Sequence, residues 1–319
     1  MKTLAAIIVL LLACSASLGQ TLHVITPDPN LPSEVFSGNV KVRPARIRPG
    51  TNPSVLVTID DSDFFVQQQY IDFLNRMPDS PGFAFWNGQI TNCKADAGCV
   101  DVMRVNTSAA FYLSIEFQQT GYLVERIYKA SYGDAIGTST FGGLHQLAVP
   151  IVRLDEFLPD TKQIGQNVIV NKPGWQDLLE TNKQNFVAAF VTRARFTTAY
   201  PANMAASAFV DTLNQNAGSP LSPAKRDQLV NNLAAQTMSR ADVLRAVAED
   251  NSFSTAEFSR AFVLMQYFGY LRRDPNSGND ADHSGYDFWL RKLDQFKGNF
   301  NDAEMVKAFI LSAEYRNRF

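Results

Sequence analysis

The stretch Gln69-Tyr70-Ile71-Asp72-Phe73-Leu74-Asn75-Arg76 returns far down the chain as Gln266-Tyr267-Phe268-Gly269-Tyr270-Leu271-Arg272-Arg273. Both read Gln-Tyr-x-x-aromatic-Leu-x-Arg. A turn follows each, Met77-Pro78-Asp79 and Asp274-Pro275-Asn276. Next come Gly82-Phe83-Ala84-Phe85-Trp86 and Gly285-Tyr286-Asp287-Phe288-Trp289, both Gly-aromatic-x-Phe-Trp. The units close on Ala110-Phe111-x-x-Ser114-x-Glu116-Phe117 and Ala308-Phe309-x-x-Ser312-x-Glu314-Tyr315. Three matched blocks in one order are the signature of internal repetition. Val66, Tyr70, Phe73 and Leu74 share one helical face, as do Val263, Tyr267, Tyr270 and Leu271. The spacing therefore predicts an all-α fold of stacked helical units, each too small to bury a core alone.

The units differ in their turns. Unit one carries an insert between Cys93 and Cys99, and the last unit carries extra residues around 279–283. Two fainter copies lie between. Leu123–Tyr128, Gly174-Trp175 and Phe190 to Phe196 outline one, with residues 133–172 as a loop insertion. Ala208-Phe209-Val210 to Phe253 outlines the other, with Ser239-Arg240-Ala241-Asp242 opening its closing helix. The expected units are 61–119, 120–200, 205–253 and 255–319. Ser80-Pro81 reads as an N-cap followed by Pro at the first helical position, Thr120 as the next cap, and Gly133 as a helix end.

Before Asp60 the pattern changes. Pro27, Pro29, Pro32, Pro44, Pro49 and Pro53 crowd residues 20–60, and alternation at Val40/Val42 and Val55/Val57/Ile59 suggests short extended segments. Lys41, Arg43, Arg46 and Arg48 form a basic patch, read as a solvated linker rather than a contact for an acidic polymer. Residues 1–19 have the layout of a secretory signal peptide: a basic start at Lys2, an apolar run from Leu4 to Ala13, and small residues before a cut near Gly19. Leu11-Leu12-Ala13-Cys14 also resembles a lipobox, so a lipid anchor at Cys14 is the competing reading. Either way the protein is expected outside the cytoplasm, secreted or in the cell envelope. There Cys93 and Cys99 read as a disulfide.

The Tyr-x-x-x-Leu-x-Arg-x-Pro turn, the Gly-aromatic-x-Phe-Trp block and the Ser-x-Glu-aromatic ending resemble domain-of-unknown-function family 4214. The chain is also similar to surface proteins of acidobacteria-like bacteria. The resemblance is close at the first and last units and covers most of the chain after Asp60. It implies a helical module of secreted and cell-surface bacterial proteins, and no reaction.

The 319 residues carry 29 Lys+Arg against 31 Asp+Glu, for a net charge of -2. That balance excludes a strongly basic nucleic-acid binder. Apart from the signal, no apolar run is long enough to span a bilayer. Arg76 and Arg273 sit just past a helix in matching places, as Glu116 and Glu314 sit in matching closing blocks. The expected structure pairs Arg76 with Glu116 and Arg273 with Glu314, bidentate and partly buried. Trp86 and Trp289 read as core anchors rather than sugar platforms, and Trp175 is less determined. Asp274, Asn276, Asp280 and Asp282, with His283, supply the hard oxygens calcium prefers, but not in EF-hand spacing, and they suit capping equally. No cofactor is implied. His145 beside Asp155, Glu156 and Asp160 is the one place that suggests acid–base work, and no HExxH, GxSxG, GxGxxG or P-loop is present. Asn106-Thr107-Ser108 is a glycosylation sequon in an expected helix. The residues together point to a non-catalytic surface or extracellular interaction module. Its partner would be a surface protein or glycan. A hydrolase-type enzyme using 133–172 and a calcium-dependent adhesion module are the alternatives.

Overall fold

A computed structural model describes residues 58–319 throughout and, ahead of them, the backbone of five short strands. β1 (Leu22–Ile25), β2 (Glu34–Ser37) and β3 (Val40–Lys41) form an antiparallel sheet in that order, and β4 (Arg46–Ile47) pairs antiparallel with β5 (Leu56–Val57). The expected signal segment, Cys14, and the side chains of the leader and its basic patch lie outside the described residues.

From Asp61 onward the chain is mainly helical, as the spacing predicts. α1 (Ser62–Leu74) stops at Asn75, whose φ of 54° is left-handed and turns the chain. Asp79 caps α2 (Ser80–Thr91) by accepting the Gly82 N–H, with Pro81 in the first turn. The cap is thus Asp79 and not Ser80: a carboxylate satisfies the free N–H groups and favours the positive end of the helix dipole. The Cys93–Cys99 disulfide clips the end of α2 to the start of α3 (Ala97–Tyr112), where Asp96 is the cap. So small a ring contributes about 2 kcal/mol in the chain-entropy account. Asn106 and Thr107 lie within α3, and Thr107 is buried, so the sequon is held in helical backbone. Ser114 caps the short α4 (Ile115–Gln118).

Thr120 precedes α5 (Gly121–Tyr132) without capping it. Its hydroxyl donates to the Glu116 carbonyl instead, 2.9 Å away. Gly133 ends α5 with a φ of 73°. Tyr122 to Ser131 are buried on every side, because α5 lies against the helix before it and several that follow it.

Residues 133–172 are not a loop. They form a β-hairpin, β6 (Ala135–Ser139) with β7 (His145–Val149), followed by α6 (Leu154–Gly165). Alternating burial along β6 and a Gly142-Gly143 turn, both glycines at positive φ, are the strand and turn signals that the Gly-rich composition hid. α7 (Trp175–Phe190), α8 (Ala194–Ala199), α9 (Ala206–Asn216), α10 (Pro223–Ala234) and α11 (Arg240–Ala248) follow. Ser239 and Asp242 make a reciprocal capping box at α11. α12 (Asn251–Gln266), capped by Asp250, runs unbroken across the boundary drawn at 253–255, where no Pro or Gly interrupts it. It continues into a π-helical turn, Tyr267–Leu271, closed by Arg272 at a φ of 52°. α13 (Ser284–Gln295), α14 (Met305–Leu311) and α15 (Ala313–Arg316) complete the chain.

The first and last blocks touch. Phe73 and Tyr270, which occupy the same place in their two motifs, meet edge to face at 5.2 Å. Gly269 leaves room for the contact, since a Cβ there would fall 2.4 Å from the Phe73 ring. Gln69 bonds Tyr315 at 3.2 Å and Ser108 at 2.6 Å, and Ser108 bonds Tyr270. The helices therefore close end upon end instead of extending as an open stack.

Candidate functional site

The two motif copies build the same corner twice. Asn75 and Arg272, both left-handed, aim the next residue back across its own block. Arg76 donates to Glu116 from Nε and Nη2 at 2.7 and 2.9 Å. Arg273 donates to Glu314 in the same fork at 2.5 and 3.1 Å. Each guanidinium lies over the motif tyrosine, Tyr70 at 5.0 Å and Tyr267 at 5.2 Å. Each also reaches a second acid that the sequence reading did not assign: Asp79 at 3.3 Å and Asp280 at 2.6 Å. Burial works against the charge on Arg76, but the Glu116 bond and charge outweigh it and hold its pKa above the ordinary value. Asp79 is pushed up by burial and pulled lower overall by the Gly82 N–H and Arg76. Burial, with Asp79 nearby, lifts the Tyr70 phenol to about 12.

Gly82 and Gly285 are equivalent for a steric reason. A Cβ at either would lie 2.3 or 2.4 Å from the hydroxyl of its motif tyrosine. Trp86 tilts against Phe111 at 5.8 Å, and Trp289 against Phe309 at 5.6 Å. Both tryptophans are half-buried and packed on the core, yet both also line an open cleft. Tyr70, Arg76, Trp86, Phe111 and Glu116 wall one cleft of about 610 Å³. Tyr267, Arg273, Trp289, Phe309 and Glu314 wall the other, of about 280 Å³. Trp175 packs on the core at the start of α7. That a core anchor can also present a face to a cleft was not legible in its spacing.

The residues of the acidic turn bond other parts of the protein. Asp274 accepts the Leu154 N–H at 3.0 Å and pairs with Arg153 at 3.1 Å, capping α6 from a distance. Asn276 accepts from Arg153 at 2.8 Å. Asp280 holds Arg273, and Asp282 accepts from Thr140 and the Ser284 N–H. Among the described residues no three His, Cys, Asp or Glu side chains group in a way that could hold a metal ion.

His145 is not brought to the acids near it in sequence. Its Nε2 lies 3.1 Å from Asp287 and 3.0 Å from Arg291, both on α13. Glu156 turns to Arg195 at 2.8 Å, Asp160 to Tyr128 and Arg193, and Asp155 is exposed. The hairpin carries His145 away from α6, so residues close in sequence end on different partners.

Charge is also buried beneath α5. Lys129 bonds Glu257 at 2.5 Å and lies 3.2 Å from Asp134, which Arg260 also holds at 2.7 Å. Glu125 shares this interior, and one of its carboxyl oxygens has no hydrogen-bond partner. Burial and the Glu257 charge raise the Glu125 pKa well above the usual carboxylate range. The folded protein therefore binds this proton where the unfolded chain releases it. The associated stability is fully present below the unfolded pKa and is lost as pH rises toward the folded one. Glu125→Gln is expected to leave stability nearly unchanged at pH 4 and raise it by at least ~1 kcal/mol at pH 8. Urea melts at the two pH values check it.

No helix among the described residues is long and apolar enough to cross a membrane. No protein-family model, curated protein or solved structure matches the chain.

Proposed function

We propose that the protein is an exported, non-catalytic interaction module whose two outer blocks are of the domain-of-unknown-function 4214 type, and that its contact surface includes the block-one cleft. The carrying observation is the paired clefts: one motif, used twice, puts a tryptophan and an Arg–Glu fork on the wall of each. The charged residues of those walls hold the fold, since both oxygens of Glu116 and of Glu314 accept from an arginine. What the clefts offer a visitor is aromatic and apolar surface, the usual material of recognition. Export is supported by the layout of residues 1–19 and by the Cys93–Cys99 disulfide. The test is capture from envelope extract and culture supernatant on the chain from Gln20 onward, beside a Phe85→Asp variant. A saturable protein or glycan partner retained by the first and lost by the second supports the reading. Product release from a polysaccharide or peptide by the folded protein would sink it.

A further inference from the structure

We infer that the block-one cleft binds a neutral sugar ring of a glycan. The inference rests on that cleft being a contact surface, and it names the ligand.

The two corners are equivalent in motif and unequal in walls. The block-four cleft is lined only by residues of its own block. The block-one cleft gains a third wall from the α6–α7 connection, residues 169–172. That wall is fixed in place. Val168 before it is fully buried, and Asn167 and Asn171 turn the chain at left-handed φ values of 60° and 75°. The Lys172 N–H donates to the Ile169 carbonyl at 3.1 Å. The Asn182 side chain donates to the Ile164 and Gln166 carbonyls at 3.0 and 2.9 Å, which ties the connection to α7. The cleft is thus formed before a ligand arrives, and no ordering of this wall is charged to binding. Its volume is about 610 Å³, against about 280 Å³ for its counterpart. The first falls within the ~300–1,000 Å³ of small-ligand sites and the second below it.

Three features of the cleft select the ligand. The first is aromatic surface: Phe85 is 56% exposed and stands edge to face with Trp86 at 4.9 Å. The second is the Tyr70 hydroxyl. Tyr70 is 3% exposed, and its hydroxyl lies against Gly82, another wall residue. That hydroxyl has no hydrogen-bond partner among the described residues, and a phenol can both donate and accept. The third is matched charge. Arg76 answers both Glu116 and Asp79, and Lys172 stands exposed at the rim, where water screens it. An apolar peptide side chain would use the aromatic surface and leave the Tyr70 hydroxyl dry and unpaired, which is unfavourable. An anion would compete for Arg76 with two carboxylates already in place. A sugar ring sets a face of C–H groups on the aromatic surface and offers the phenol a hydroxyl, without charge.

Tryptophan fluorescence titrations on the chain from Gln20 onward test this. The probes are trisaccharides of glucose, mannose, galactose and N-acetylglucosamine, with trigalacturonate as the charged one. At least one neutral sugar is expected to saturate the wild type. Tyr70→Phe is expected to weaken that binding about tenfold with unchanged melting, since the hydroxyl bonds nothing in the protein. Phe85→Asp, at an exposed position, is expected to abolish it. Tyr267→Phe, the block-four equivalent, is expected to leave it unchanged. The absence of a saturable response to any neutral sugar overturns the inference. So does Tyr70→Phe binding as the wild type does, Tyr267→Phe weakening binding equally, or trigalacturonate binding more tightly than every neutral sugar. If the sugars fail but Phe85→Asp still loses a captured protein, the cleft remains a contact surface and only the sugar falls.

Discussion

Asp72→Ala is expected to destabilise the protein by about 3–5 kcal/mol, the cost of stripping the partner from buried charge. The Asp72 side chain is 0% exposed and lies between two arginines, Arg272 at 3.0 Å and Arg318 at 2.8 Å. Arg272 also bonds the Ile71 carbonyl, and Arg318 the carbonyls of Gly269 and Tyr270. Those carbonyls orient the guanidinium groups but carry no full charge to offset theirs. Removing Asp72 takes from both guanidinium groups the carboxylate they share in the seam where the first and last blocks meet. Since domains are stable by only ~5–15 kcal/mol, much of the total would go. Urea melts check the figure, and a loss below ~1 kcal/mol would show the seam to be hydrated and the triad unimportant. Replacing all three residues by apolar ones of similar volume is expected to recover most of the loss, because both arginine charges then go together with the carboxylate they share.

This seam shows where sequence reading runs out. The repeat of Gln-Tyr-x-x-aromatic-Leu-x-Arg is a local pattern, and local patterns report what one helix does to its own neighbours. Helical class, the turns after Asn75 and Arg272, and the places of Arg76, Glu116, Arg273 and Glu314 were legible for that reason. Asp72 was not, although it stands inside the motif, because its partners are distant in sequence and block four has Gly269 in the same place. The hairpin was hidden differently. Glycine at 137, 142 and 143 reads as loop, and it is pairing with β7, with one further bond from the His283 N–H, that makes β6 a strand. The acidic turn was legible as chemistry and not as purpose. Its oxygens suit calcium or a helix cap, and their bonds to Arg153 and the Leu154 N–H could not be read because sequence does not place those residues beside the turn.

The two Arg–Glu forks are alike in geometry and are expected to differ in worth. Glu116→Ala should cost about 3 kcal/mol, toward the lower end of the range for breaking a buried pair, and Glu314→Ala at least ~1 kcal/mol less. The difference lies in what each arginine keeps. Without Glu314, Arg273 retains Asp280 at 2.6 Å and the carbonyls of Asp274 and Ser277 at 3.1 and 2.9 Å. Without Glu116, Arg76 retains Asp79 at 3.3 Å and the Met77 carbonyl at 3.2 Å, both through one nitrogen. Its Nε and Nη2 are left with no acceptor in a half-buried site. Double-mutant cycles with Arg76→Ala and Arg273→Ala isolate the pairwise terms, and the block-one coupling should be the larger. Equal couplings would mean that Asp280 and the turn carbonyls contribute nothing beyond the fork. The expected inequality fits how the blocks have diverged. Block four surrounds its arginine with an extended turn, whereas block one leaves the corner open and backs Glu116 only with Asp79 and the Met77 carbonyl, both on one nitrogen of Arg76.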